Sequence, residues 1–166
     1  MLPETITADR DLRTVMGHFC TGVAVVTGYL AGRAHGFTAQ SVQSISVNPP
    51  LVAVSPAKTS TSWPIIRSSG CFCLNFLGAD QRSLCHRFAQ SGRSKFEGLS
   101  WKMSTLGSPI IDGVLAFVDC RIDAEHEAGD HTIVLGEVFD LGILLTEPQP
   151  LLFYRGQFGS FDPGVV

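Results

Sequence analysis

A basic excess is missing from this sequence of 166 residues: 12 Lys and Arg stand against 15 Asp and Glu, for a formal net charge of −3. Binding along a phosphate backbone needs the opposite balance, so nucleic acid is not an expected partner. No apolar run approaches the roughly 18 residues that would span a bilayer, and stretches such as GVLAFV fall far short, so no membrane segment is expected. The opening MLPETITADRDLRT mixes acids and bases around no hydrophobic centre. It does not read as a signal peptide, and a cytoplasmic location is the expectation. The five cysteines, Cys20, Cys71, Cys73, Cys85 and Cys120, contain no CxxC pair and form an odd set, for which reduced thiols are the default. Cys71 and Cys73 stand two apart and share one face of a predicted strand, as core hydrophobes do. HExxH and Cys/His zinc patterns are absent, so no metal site is expected. A GxSxG elbow and paired carboxylates are also absent, which disfavours hydrolysis and glycoside chemistry.

What is present is a composition of 45% hydrophobic and 16% charged residues, which predicts one globular domain over 1–166. A chain of this size can bury about 70% of its extended surface. Leu12, Val15, Met16 and Phe19 recur at helical spacing behind Thr7 or Asp9 as caps, predicting an amphipathic helix over 8–19. Strands are predicted at 22–27, through 37–47 up to Asn48 and two prolines, from 51, over 71–77, 114–123, 131–138 and onward, and 150–158. GYLAGRAHG reads as a hairpin connection and EAGD as a turn. Short helices are predicted over 60–69, with Pro64 in the first turn, and over 79–89. Residues 91–101 read as an exposed loop. Strands without regular helix alternation argue against a doubly wound parallel sheet, and for an antiparallel barrel, closed or partly open, of all-β class with short helices.

The segment from Gly36 to Trp63 carries small hydroxyl and amide side chains where a barrel strand should be apolar. Alternation puts Thr38, Gln40 and Ser44 on one face and Ala39, Ser41 and Gln43 on the other. Such a wall lets a flat ligand ring approach the backbone; a solvated edge strand would carry the same composition. Lys58, Thr59, Ser60, Thr61 and Ser62 precede a predicted helix, so a cation, hydroxyls and helix N–H groups gather as an anion site would. Ordinary capping by Ser60 or Ser62 is the alternative. The P-loop spacing is absent. His131 begins an apolar strand beside a turn, where it can face a cleft or simply be a structural residue. A polar pocket with an anion anchor and no nucleophile suits a protein whose reactive centre is a bound cofactor.

The motifs GHFCTGVAVVT, GFTAQSVQSISVNPPLVAVSPAKTSTSW, CFCLNFL, SKFEGLSW, GSPIIDG, GDHTIVLGEV and PLLFYRGQF occur in that order. By them the chain resembles the short-chain flavin reductases, the NAD(P)H-using components of two-component flavin-dependent monooxygenases, over about 12–161. Within that family it looks most like the actinobacterial reductases serving phenolic, steroid-ring or natural-product hydroxylases. The resemblance implies a split β-barrel of Greek-key type, the FMN-binding split barrel, as a single domain forming a homodimer with flavin near the subunit boundary. It implies Thr38, Ala39, Gln40 and Ser41 along the isoalloxazine ring, Gln40 departing mildly from the family's residue there. It implies Ser55, Pro56, Ala57, Lys58, Thr59, Ser60 and Ser62 around the ribityl chain and phosphate, with Lys58, Ser60 and Ser62 as phosphate contacts. Asn75, Phe76, Lys95 and Phe96 match positions flanking the flavin or its nucleotide tail. His131 matches a histidine associated with nicotinamide, and Tyr154, Arg155 and Gly156 a terminal segment closing over NADH.

The same resemblance implies hydride transfer from NADH to FAD or FMN, with NADPH an alternative donor, and delivery of diffusing reduced flavin to a partner monooxygenase. Positioning supplies such catalysis, the rings stacking within about 3 to 3.5 Å. Backbone N–H groups of Thr38, Ala39, Gln40 and Ser41 would stabilise negative charge on the flavin pyrimidine. No arginine cluster marks a 2′-phosphate site, which favours NADH. A flavin-retaining oxidase or oxygenase of the same fold, and a flavin-binding protein without turnover, are the competing readings.

Overall fold

The computed structural model describes residues 8–92, 94–145 and 149–161. Helix α1 (Ala8–Met16) forms where the apolar spacing predicts it, ending before Phe19. Of its two proposed caps, Thr7 lies outside the described residues and Asp9 falls inside the helix. Leu12, Val15, Met16 and Phe19 are all exposed. Strands β1 (Thr21–Gly22), β2 (Ala24–Leu30), β3 (Arg33–Ala39), β4 (Gln43–Val47) and β5 (Pro50–Val54) follow, then α2 (Trp63–Ser69) and β6 (Cys71–Phe76). A 3-10 turn, Ala79–Gln81, leads into α3 (Arg82–Ala89). The remainder is β7 (Trp101–Met103), β8 (Pro109–Ile111), β9 (Ala116–Ala128), β10 (His131–Ile143), β11 (Leu152–Tyr154) and β12 (Gln157–Gly159).

Seven strands form one sheet in the order β3-β2-β6-β9-β10-β5-β4, every pair antiparallel. β3 and β4 are its two edges, so this sheet is not closed into a barrel by hydrogen bonds. The strand expected through 37–47 is in fact two strands, joined by Gln40, Ser41 and Val42. Four residue steps span at most about 14 Å, so the sheet must curl until its opposite edges nearly meet. Ser41 fixes the crossing: its Oγ accepts the Ser55 N–H at 3.0 Å and donates to the Ser55 carbonyl at 3.2 Å. The glycine-rich connection narrows to a two-residue turn at Ala31 and Gly32, both with positive φ, while Gly28 and Gly36 belong to strands. The predicted strand 150–158 is also a hairpin, turning at Arg155 and Gly156 with positive φ. The short β7–β8 hairpin has no counterpart in the sequence reading, because three-residue strands leave too little alternation to detect.

Two apolar clusters hold the helices to the sheet. Val26, Val54, Ile66, Phe72, Leu74 and Val134 pack with Trp63 beneath α2, and Val25, Leu77, Leu84, Phe88 and Ile111 pack beneath α3. Gly36 sets the distance between β3 and α3, since a Cβ there would stand 2.7 Å from the Phe88 ring and 3.0 Å from the Val26 carbonyl. Cys73 is buried and Cys71 half-buried on the same face of β6, as predicted; burial, with Asp119 and Cys120 nearby, pushes the Cys73 thiol well up. No described helix is long and apolar enough to cross a membrane.

Candidate functional site

The free edge of β3, the loop after β5, the end of α3 and the start of β10 enclose a cleft of about 510 Å³. Thr38, Ala39, Gln40, Ser41, Ser55, Pro56, Ala57, Thr59, Ser60, Ser62, Lys95 and His131 all line it. These residues come from four separate segments, and the fold brings them together as the sequence reading expects. Phe37, Thr61, Phe88, Ala89, Gln90 and Ser91 complete the wall. The α3 and Ser91 contributions carried no motif; only the polar loop after the helix hinted at them.

Half of the hydroxyls on this wall, those of Thr38, Ser41, Ser60 and Ser62, already have partners in the protein. Thr38 Oγ1 donates to the Cys85 carbonyl at 2.7 Å, tying β3 to α3. Ser62 Oγ donates to the Gly36 carbonyl at 2.8 Å, so its single proton is engaged and it can offer a ligand only a lone pair. Ser60 Oγ, two residues before the α2 N-cap Ser62, accepts the N–H of the first helical residue Trp63 at 3.1 Å and keeps its own proton free. Gln40 Oε1 accepts from the Thr21 hydroxyl at 3.3 Å. Among the described residues, the hydroxyls of Thr59 and Thr61 make no hydrogen bond and are exposed to the cleft.

The backbone of β3 supplies what these side chains do not. β3 pairs only with β2, and the Gly36 carbonyl points away from it, where it accepts from Ser62 and from Lys95 Nζ at 3.0 Å. By strand alternation Thr38, two residues on, presents its N–H and carbonyl to that same open edge. Small neighbours leave that edge within reach of a flat ring.

Two cations stand differently toward the cleft. Lys58 does not line the cleft: its ammonium pairs with Glu127, and its N–H donates to the Asp130 carbonyl at 2.9 Å. Lys95, from the loop after α3, is the cation in the wall. It is buried, its Nζ donates to the carbonyls of Gly36 and Phe88 at 3.0 and 3.2 Å, and burial alone lowers its pKa. Two of its three protons are engaged, leaving one for a ligand. His131 lines the same cleft, half-exposed, with Nδ1 2.7 Å from Asp130 Oδ1. The hydrogen bond from His131, then its charge, hold the Asp130 carboxyl below its usual value. With Nδ1 directed at that carboxylate, Nε2 is the ring atom left for a ligand.

Other predicted residues lie elsewhere. Asn75 is fully buried in the core: its amide N–H groups reach the Thr27 hydroxyl at 3.0 Å and the Val25 and Pro109 carbonyls at 3.3 Å, and its Oδ1 accepts the Ile111 N–H at 2.8 Å. Every polar atom of Asn75 thus binds β2, β6 and β8 together, and none faces the cleft. Phe76 lines a separate apolar hollow with Phe19, Val42 and Leu115. Phe96 stacks edge-on against Phe88 and Trp101 and lines the hollow beyond Lys95. Tyr154, Arg155 and Gly156 form the tip of the β11–β12 hairpin, held against the end of α1 by the Arg155 N–H on the Gly17 carbonyl and by Tyr154 edge-on to His18. They do not line the cleft of their own chain.

The donor set therefore suits a flat heteroaromatic ring with an anionic tail: an open peptide edge for ring heteroatoms, free threonine hydroxyls and one buried ammonium for the anion, and an imidazole at the mouth. Comparison with known proteins agrees with that chemistry. The flavin reductase like domain family matches residues 16–162. The chain is 46% identical over 154 residues, 93% of its length and 78% of the relative's, to the flavin-dependent monooxygenase reductase subunit HsaB of Rhodococcus jostii. It is 43% identical over 153 residues, 92% and 86% of the two chains, to the FMN reductase (NADH) SmoA of Agrobacterium fabrum. The solved structure of the NADH:FAD oxidoreductase SgcE6 of Streptomyces globisporus, in complex with NAD and FAD fragments, superposes with a TM-score of 0.87 at 33% identity, covering 96% of this chain and 98% of that one. With the family matching nearly the whole described chain, this protein belongs to the flavin reductase-like domain family.

Proposed function

We propose that the protein is an NADH-dependent flavin reductase that reduces FAD or FMN and releases the product to a separate monooxygenase. The cleft carries this reading: one cavity joins the open β3 edge, the Thr59 and Thr61 hydroxyls, Lys95 and His131. The relatives named as reductase subunit and as FMN reductase (NADH) support it. When bound, the flavin supplies a hydride acceptor for the nicotinamide. The protein's own work is placement. The Thr38 N–H on the open edge offers a donor to the ring's heteroatoms, in a place where preorganised dipoles act strongly. Lys95, rather than Lys58, balances the phosphate, helped by Thr59, Thr61 and the free proton of Ser60. His131 Nε2, oriented by Asp130, holds the nicotinamide partner at the cleft mouth.

Supporting a homodimer, Leu12, Val15 and Met16 of α1 and Phe139, Leu141 and Ile143 of β10 are exposed, Ile143 at 77%. Apolar surface on that scale is what a second copy covers. In such a dimer the β11–β12 tip serves the partner's cleft, which reconciles Tyr154, Arg155 and Gly156 with a role toward NADH. The curled sheet, open between β3 and β4, is the split barrel, the whole chain is one domain, and the cytoplasm is its location. Anaerobic stopped-flow mixing of protein, NADH and flavin tests the activity. Rapid bleaching of flavin followed by its release is expected; retention of flavin with a nanomolar Kd through turnover would refute delivery by diffusion.

A further inference from the structure

The turn that carries His131 is held from outside its own hairpin. β5 pairs with β10 as far as Val54 opposite Val134, and the same register runs on past the end of β5. There the Thr132 N–H donates to the Pro56 carbonyl at 3.0 Å, Ala57 stands opposite His131, and the Lys58 N–H donates to the Asp130 carbonyl at 2.9 Å. Residues 55–58 thus form a strap against the histidine turn. The strap is short of bonds on that side: Pro56 has no N–H to return to Thr132, and the Lys58 ammonium meets Glu127 only at the surface, where such a pair is weak.

Ser41 holds the other edge of the strap. β4 pairs with β5 with Gln43 opposite Ala53, so the next rung of that register sets residue 41 against Ser55. At Ser41 the backbone lies outside β4, on its way from β3, and the side chain takes the rung in its place. Its Oγ accepts the Ser55 N–H at 3.0 Å and donates to the Ser55 carbonyl at 3.2 Å. A hydroxyl can stand in for a rung because it both donates and accepts, as a residue's N–H and C=O do together. With its one proton spent on Ser55, it has no donor left for a ligand. Ser41 and His131 line the same cleft, so this hydroxyl joins the ring wall to the histidine through three residues of strap.

We propose that Ser41 is a positioning residue for the nicotinamide partner: its hydroxyl locks the strap that seats His131, and so fixes the histidine relative to the wall from Thr38 to Ser41. The proposal rests on the flavin reductase reading of the cleft, with His131 serving NADH. Placement of this kind matters because a misplacement of about 1 Å can cost a factor of about 100 in rate.

Steady-state kinetics and flavin titration of Ser41→Ala, the near-isosteric pair Ser41→Thr and Ser41→Val, His131→Ala and the double variant of Ser41→Ala with His131→Ala test it. Ser41→Ala and Ser41→Val should raise KM for NADH about three- to fivefold, with flavin Kd within about twofold, which also certifies the fold. Ser41→Thr keeps the hydroxyl and should stay within about twofold of the wild type. In the His131→Ala background, Ser41→Ala should add less than about a factor of two, since the strap then has no imidazole to place. Full multiplication of the two effects in the double variant overturns the proposal, as does a KM unmoved by both alanine and valine. A KM raised equally by threonine and valine overturns it in favour of side-chain volume. Flavin Kd raised several-fold at unchanged KM overturns it in favour of a direct flavin contact. If the wild type binds flavin and His131→Ala leaves KM for NADH unchanged, the proposal falls while the flavin reading stands. A wild type that binds neither FMN nor FAD refutes the reading of the cleft itself.

Discussion

The cleft and the chamber beyond Lys95, the hollow that Phe96 lines, share a strand and a lysine, yet they present different surfaces. In the cleft, side chains are small and several are bonded to the protein itself, as with Thr38 to Cys85, Ser41 to Ser55 and Ser62 to Gly36. Recognition falls to the peptide edge those bonds hold still. In the chamber, long side chains face the space directly: Arg33, which makes no ion pair among the described residues, and a tilted Tyr29 and Trp101. Engaged hydroxyls give a preorganised surface for one flat ring, whereas charged and aromatic side chains accept a more loosely held group. Polar residues gathered in a pocket are therefore not all ligand contacts.

The contrast breaks most completely at Gly36, which lines the chamber directly before the cleft wall begins at Phe37. Gly36→Ala places a methyl group 2.7 Å from Phe88 and 3.0 Å from a backbone oxygen, and should destabilise the fold by about 1–3 kcal/mol. A thermal melt checks the stability, and flavin titration should show weakened affinity. An unchanged Tm would mean that α3 does not seat closely against β3. Lys95→Gln comes next: FMN and FAD should weaken by about 10- to 100-fold with riboflavin spared, since a hydrogen bond to a charged group is lost. The same lysine predicts a pH dependence. Its pKa is lowered by burial, so the cation disappears below 10.5, the ordinary value, and FMN affinity should fall on that alkaline limb while riboflavin binding stays flat. Stability of the free protein moves the other way. Between the lowered value and 10.5 the unfolded chain binds more protons than the folded one, so folding gains as pH rises.

His131→Ala sharpens the comparison from the cleft mouth. KM for NADH should rise several-fold, up to about tenfold, with flavin Kd within about twofold, as one lost hydrogen-bonding partner warrants. Unchanged NADH kinetics would remove His131 from the site. The smallest effect belongs to Lys58→Ala. Its exposed pair with Glu127 is worth about 0.2–1 kcal/mol at most, and flavin affinity should hold within about twofold. A loss as large as that of Lys95→Gln would restore Lys58 as the phosphate contact.

Much of the fold was legible along the chain. The spacing of Leu12, Val15 and Met16 announced α1, Pro64 announced α2, and the alternation in CFCLNFL announced β6 with its two cysteines on one face. Of the candidate site, Thr38 to Ser41, most of the stretch from Ser55 to Ser62 and the isolated His131 line one cavity. The Glu127 partner of Lys58 was not legible, because a cation beside hydroxyls looks the same in sequence whether or not a carboxylate lies across from it. Asn75 misled for a related reason: an amide in a motif carries no sign that Thr27, Val25, Pro109 and Ile111, from distant segments, will saturate it.

By itself, then, the sequence determined the strands and short helices, the location of the polar wall, and membership of a flavin reductase-like family, because these depend on local periodicity and on motifs read in order. Only the tertiary structure decided which groups face the ligand. It opened the sheet between β3 and β4, engaged the hydroxyls of Thr38, Ser41 and Ser62, gave Lys58 a partner and left Lys95 buried without a carboxylate. A side chain's availability depends on partners folded in from elsewhere in the chain, and no local pattern encodes those.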